Sequence, residues 1–120
     1  MRIPPETVQL VSELVADAPE LKRAYDEHVQ ENDGVLPHVF FSDLTRFVLS
    51  GFVLARGPRR ESAQKLLARL EQAYSGKGHN VRELIVLSFI GNIERGQPGL
   101  DNLRASMASP LRSELDQQLG

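Results

Sequence analysis

Apolar residues recur at three- and four-residue intervals along nearly the whole chain, and no stretch alternates apolar and polar residues in the manner of a half-buried strand. The pattern therefore predicts helices separated by turns. Val8, Val11, Leu14, Val15 and Ala18 place a first helix over residues 5–17. Pro19 suits the first position of a second helix, with Leu21, Tyr25, His28 and Val29 as its stripe and Asn32-Asp33-Gly34 as its end. Pro37 opens a third, in which Phe40, Leu44, Phe47, Val48, Gly51 and Leu54 share a side before Gly57-Pro58 stops it. Phe41 and Phe52 fall off that stripe, so they either pack against a neighbouring pair or stand exposed as contact anchors. A fourth helix over 61–75 turns Ala63, Leu66, Leu67, Leu70, Ala73 and Tyr74 inward.

Gly76-Lys77-Gly78 breaks the pattern, and Asn80 with Glu83 has the spacing of a capping box at a new helix start. The segment 81–93 is apolar on nearly all sides, which predicts a helix buried at the centre of the domain. Gly96-Gln97-Pro98-Gly99 ends it. Two short helices follow, over 100–107 and 110–119, the latter with Ser109 as cap and Pro110 as first residue. The expected fold is all-α: a single domain, 1–120, formed as a bundle of six or seven helices in antiparallel, HEAT-like pairs around helix 81–93.

At 120 residues the chain is long enough for one real core, and with 41% apolar and 25% charged residues it is too apolar for intrinsic disorder. The absence of cysteine excludes disulfides, thiol nucleophiles and zinc–thiolate sites. The amino terminus lacks the apolar core of a signal peptide and no run is long enough to span a bilayer, so the expected location is cytoplasmic. The net charge of −2 conceals an asymmetry: residues 1–45 hold nine acids against three bases, and residues 46–82 hold eight bases against two acids. If folding keeps these regions apart, one face is acidic and another basic, an arrangement that steers partners more than it stabilises a fold.

The chemistry-bearing side chains concentrate in residues 25–46, which gather two of the three histidines with Tyr25, Asp26, Glu27, Glu31, Asp33, Asp43 and Arg46. Three readings compete for this block. The first is structural: Asn32-Asp33-Gly34 as a turn, Asp43 and Arg46 as a helical pair, and His28 as a hydrogen-bonded histidine on an apolar stripe. The second is a metal or hydrolytic site using His28, His38 and Asp43, with Tyr25 or Arg46 assisting, although a calcium loop aligned on Gly34 would place Val29 and Phe40 where carboxylates are needed. The third is a binding edge for a basic partner made by Asp26, Glu27, Glu31 and Asp33. Elsewhere there is no phosphate-binding glycine loop and no serine elbow. Arg56-Gly57-Pro58-Arg59-Arg60 is a basic loop able to touch phosphate, but the chain as a whole is acidic and a solvated loop is expected.

Tyr25-x-x-His28, Asn32-Asp33-Gly34, Leu36-Pro37-His38, Phe41-x-Asp43-Leu44-Thr45-Arg46 and Arg82-Glu83-Leu84-Ile85 through Ser88-Phe89 together resemble a family of small, uncharacterised, helical bacterial proteins. Small acidic helical proteins of that kind are similar to immunity proteins that neutralise toxins. The resemblance implies a non-enzymatic binding domain whose partner is a toxin with a basic surface, with no cofactor and no nucleic-acid or membrane partner. The expected partner-binding residues are Tyr25, Asp26, Glu27, His28, Glu31, Asp33, His38, Asp43 and Arg46. A metal-binding or hydrolytic enzyme and a DNA-linked regulator working through Arg56, Arg59 and Arg60 stand as the alternatives.

Overall fold

Proline and glycine set most of the helix boundaries. The computed structural model describes residues 3–76 and 78–120; Lys77, at the centre of the predicted glycine break, lies outside them. Helix α1 (Pro5–Asp17), α3 (Pro37–Val53) and α4 (Pro58–Ser75) each carry proline at the first position, where the missing N–H costs nothing and φ is already helical. A short 3₁₀ turn, Pro19–Leu21, leads into α2 (Lys22–Asn32). Helix α5 (His79–Leu84) continues as a π-helical turn, Ile85–Phe89, and a 3₁₀ turn, Ile90–Asn92, before α6 (Leu100–Ser106) and α7 (Ser109–Leu119). The described residues contain no strand, and the fold is an all-α bundle.

One continuous core draws on all these elements. Phe40, Phe41, Phe52 and Phe89 are all fully buried, each worth about 1.5–3 kcal/mol relative to exposure. Phe41 and Phe52 thus take the packed alternative. The reason is that α3 is enclosed on several sides, meeting α1, α2, α4, α6 and the π turn. Its approach to α4 is close: a Cβ on Gly51 would lie 2.5 Å from Ala63 Cβ and 2.8 Å from Arg59 O. Gly99, at φ 87, brings the turn before α6 against the Leu49 carbonyl of α3, where no side chain fits.

Five local expectations change. Helix α4 starts at Pro58 and not at 61, because the proline expected only to stop α3 serves as the first residue of the next helix. The segment 81–93 does bury Leu84, Ile85, Ser88, Phe89, Ile90 and Ile93, but it is not one uniform α-helix, and Leu87 stands 61% exposed. The π turn shifts carbonyls off the regular ladder. Thr45 Oγ1 of α3 lies 3.2 Å from Phe89 O, and Asn92 Nδ2 donates to Ser88 O at 2.5 Å. Asn80 does not cap its helix, since Gly78 holds the cap position and the Asn80 amide donates instead to Glu6 of α1 at 2.7 Å. Ser109 is the first residue of α7 rather than its cap; the Ala108 N–H at that end donates to the Glu71 carboxylate. Finally, Leu54 has left the apolar side of α3 and is exposed in the turn beyond it.

Candidate functional site

The corner between α2 and α3 is held by His28. Its ring is buried, with Nε2 accepting the Leu36 N–H at 2.9 Å across eight residues of chain. Asn32, one turn on, donates its amide to His28 O at 2.8 Å and lies 3.2 Å from Nδ1. The chain then reverses through Asp33 at φ 53 and Gly34 at φ 139, with the Gly34 N–H bonded back to Val29 O. Asp tolerates this left-handed geometry better than most side chains, and glycine adopts it freely. Phe40 completes the corner, packed edge-to-face with both Tyr25 (5.9 Å between ring centroids, 85° between planes) and His28 (5.5 Å, 61°).

The same corner forms an open groove of about 520 Å³ lined by Glu27, His28, Glu31 and Asn32 from α2 and by Val39, Ser42, Asp43 and Phe47 from α3. Of the nine residues expected to bind a partner, Glu27, His28, Glu31 and Asp43 meet here. His28 offers no free ring nitrogen, because both serve the turn. Tyr25 is half-buried on Phe40, with the Lys22 ammonium 5.4 Å above its ring. Asp26 pairs with Lys22 at 2.6 Å, Glu27 with Arg23 at 3.3 Å, and Asp43 with Arg46, all as exposed pairs on single helices. Such pairs contribute a few tenths of a kcal/mol and break readily. Glu31 and Asp33 have no ion-pair partner among the described residues, and both are exposed.

The acidic and basic thirds of the chain are not kept apart. Asp17 of α1 receives a two-pronged bond from Arg69 of α4, at 2.7 and 3.1 Å, and this guanidinium holds the Asp17 carboxyl below its ordinary pKa. Glu20 accepts from Ser62, also of α4, at 2.9 Å. The basic loop is likewise engaged. Arg60 donates to Leu54 O at 2.6 Å and stacks its guanidinium 4.6 Å from the Phe52 ring, while Arg59 lies 5.6 Å from that of Phe47. Arg60 is therefore a strut closing the α3–α4 corner rather than a solvated charge; Arg56 remains exposed.

His38 goes elsewhere. It lies in a second cleft of about 400 Å³, with Ile3, Pro4 and Thr7 of the amino-terminal region, Leu36, Pro37 and Val39 at the start of α3, and Asn80 and Glu83 of α5. Its Nδ1 is hydrogen-bonded to Ser88 Oγ of the π turn at 2.6 Å. His28, His38 and Asp43 are thus divided between two clefts, and no three His, Asp or Glu side chains gather as a metal-ligand set among the described residues. The feature that sequence reasoning passed over is Val39, half exposed and common to both clefts. Its signal was available: with Asp43 and Arg46 four and seven positions on, Val39 is an apolar residue on the polar face of an amphipathic helix.

Fold and surface together define a small, single-core helical bundle with a carboxylate-lined groove and an apolar cleft on either side of the first turn of α3. No described helix is long and apolar enough to cross a membrane. The chain belongs to the family described as a domain of unknown function, DUF7674, whose model matches residues 11–120. No curated protein and no solved structure matches it.

Proposed function

We propose that this protein is a non-enzymatic binding domain, most concretely an immunity protein that neutralises a cognate bacterial toxin by laying its acidic α2–α3 corner over a basic active site. The observation that carries this reading is the state of Glu31 and Asp33. Both are exposed and without an ion-pair partner among the described residues, Glu31 in the groove and Asp33 in the adjoining turn. Glu27 and Asp43 line the same groove in weak pairs that a partner's cations can displace. His28 and Asn32 hold the turn from within, so the carboxylates are presented on a preorganised frame, which lowers the entropic cost of association. The motif resemblance to toxin-immunity proteins supports the toxin-neutralising form of the reading.

Capture of the partner from the native cell, followed by stopped-flow association of the purified pair, tests the proposal. Reversing both charges, Glu31→Lys with Asp33→Lys, should slow association by about tenfold at low salt and flatten its salt dependence. Association unchanged by the double reversal would sink it.

A further inference from the structure

The acidic groove does not end at α3. Val39, 50% exposed, lines both the groove and the apolar cleft, so the two depressions adjoin at this residue. Beyond Val39 the cleft is walled by Leu36, Pro37 and Ile3, and Ile3 is itself 38% exposed. Glu83 stands in its wall. Large apolar side chains left in water around a concavity mark contact sites more often than chance placement does. The flanking charges say what kind of occupant fits: carboxylates stand on both sides of Val39, Glu83 in the cleft and Glu31 and Asp43 in the groove.

We propose that the cleft is an anchor socket for a partner polypeptide that inserts one bulky apolar side chain beside His38 and lays a neighbouring lysine or arginine over Val39 into the acidic groove. This rests on the protein-binding reading above and adds to it the hot spot, since rim charges set encounter rates whereas a buried apolar anchor sets residence time. The geometry of α3 sets a lower bound on the spacing. Val39 and Asp43 are four residues apart on one helix, about 6 Å along its axis, and the anchor sits beyond Val39. An extended segment rises about 3.3 Å per residue, so anchor and cation stand at least about two residues apart in the partner. His38, tied to Ser88 on the π turn, keeps the socket wall in place.

Three short synthetic peptides and the full-length ¹⁵N-labelled chain test this by NMR titration. The first carries Phe followed, two positions on, by Lys-Lys in a Gly-Ser background; the second replaces Phe by Ala; the third replaces Lys-Lys by Glu-Glu. The first peptide should shift the amides of residues 36–39 and 80–83 together with those of 27–31 and 42–43. The second should bind roughly tenfold or more weakly and lose the cleft shifts, and the third should not bind. Val39→Ser, at an exposed position, should weaken the first peptide without affecting the second, and Glu31→Lys should weaken both. Equal binding of the Phe and Ala peptides, with shifts confined to the groove, would overturn the socket while leaving the acidic edge standing. Shifts confined to the cleft and insensitive to Glu31→Lys would overturn the acidic edge and the cation half of the proposal. Silence from all three peptides would overturn both.

Discussion

The two corners of the molecule that flank α3 are alike in being tight and rich in charge of one sign, and they behave differently. The α2–α3 corner is built around acids and the α3–α4 corner around arginines, and both reverse the chain in a few residues through a residue of positive φ. In the first, neutral groups do the structural work: the His28 ring accepts the Leu36 N–H and the Asn32 amide closes on His28 O. In the second, a charge does it, because Arg60 both satisfies the Leu54 carbonyl and covers Phe52. The acidic corner therefore leaves Glu31 and Asp33 without an ion-pair partner among the described residues, whereas the basic corner has committed a charge to holding itself together. A run of like charge is not by itself a binding surface. What matters is which residue types close the turn, and whether the charges are left over.

Substitutions at each corner test this contrast. His28→Ala should cost the most, about 3 kcal/mol, since it leaves a part-buried N–H without its acceptor and removes a ring packed on Phe40. Chemical denaturation measures it, and a loss below about 1 kcal/mol would mean that the corner is held by something else. Arg60→Ala should cost about 2 kcal/mol through the lost carbonyl bond and the lost stacking, while Arg56→Ala stays within about 0.5 kcal/mol. Equal losses at the two arginines would erase the difference between strut and solvated charge.

Asp17→Asn sharpens the same question for the contact of α1 with α4. A carboxyl whose pKa is lowered by folding stabilises the native state above its unfolded value, about 3.9, and that contribution is lost as the pH falls through the folded value. The variant should therefore be about 1 kcal/mol less stable at neutral pH, with the gap to wild type closing as the pH drops below about 4. A gap independent of pH would show that the pair acts through packing alone. As small as that of Arg56→Ala should be the stability effect of Glu31→Lys, within about 0.5 kcal/mol by thermal unfolding. A larger loss would place Glu31 in the structural frame instead of on the free edge.

Much of this could be read along the chain. The start of α1 at Pro5, of α3 at Pro37 and the 3₁₀ entry at Pro19 follow from what proline does to its own backbone, and the buried faces of α1 and α4 follow from their apolar period. The turn at Asn32-Asp33-Gly34 was equally plain. The misreadings arose where a polar group had a choice of partner. Asn80 had the spacing to cap its own helix but found Glu6, seventy-four residues away. The segment 81–93 is apolar enough for full burial, yet its neighbours cover only one side, and Leu87 is left out. His28 and His38, ten residues apart and equal as candidates on the page, went to a turn and to a cleft.

The sequence by itself determined the class, the number and order of the main helices and the presence of one core, because these depend on propensities and periodicities that act within a few residues. Tertiary structure decided which charges and rings remain available. The partners concerned lie far apart along the chain, fifty residues for His38 with Ser88 and fifty-two for Arg69 with Asp17, and a hydrogen bond between them exists only once packing has brought the helices together. Val39 is of the same kind: the helical period places it on the polar face of α3, but only packing forms a groove on one side of it and a cleft on the other.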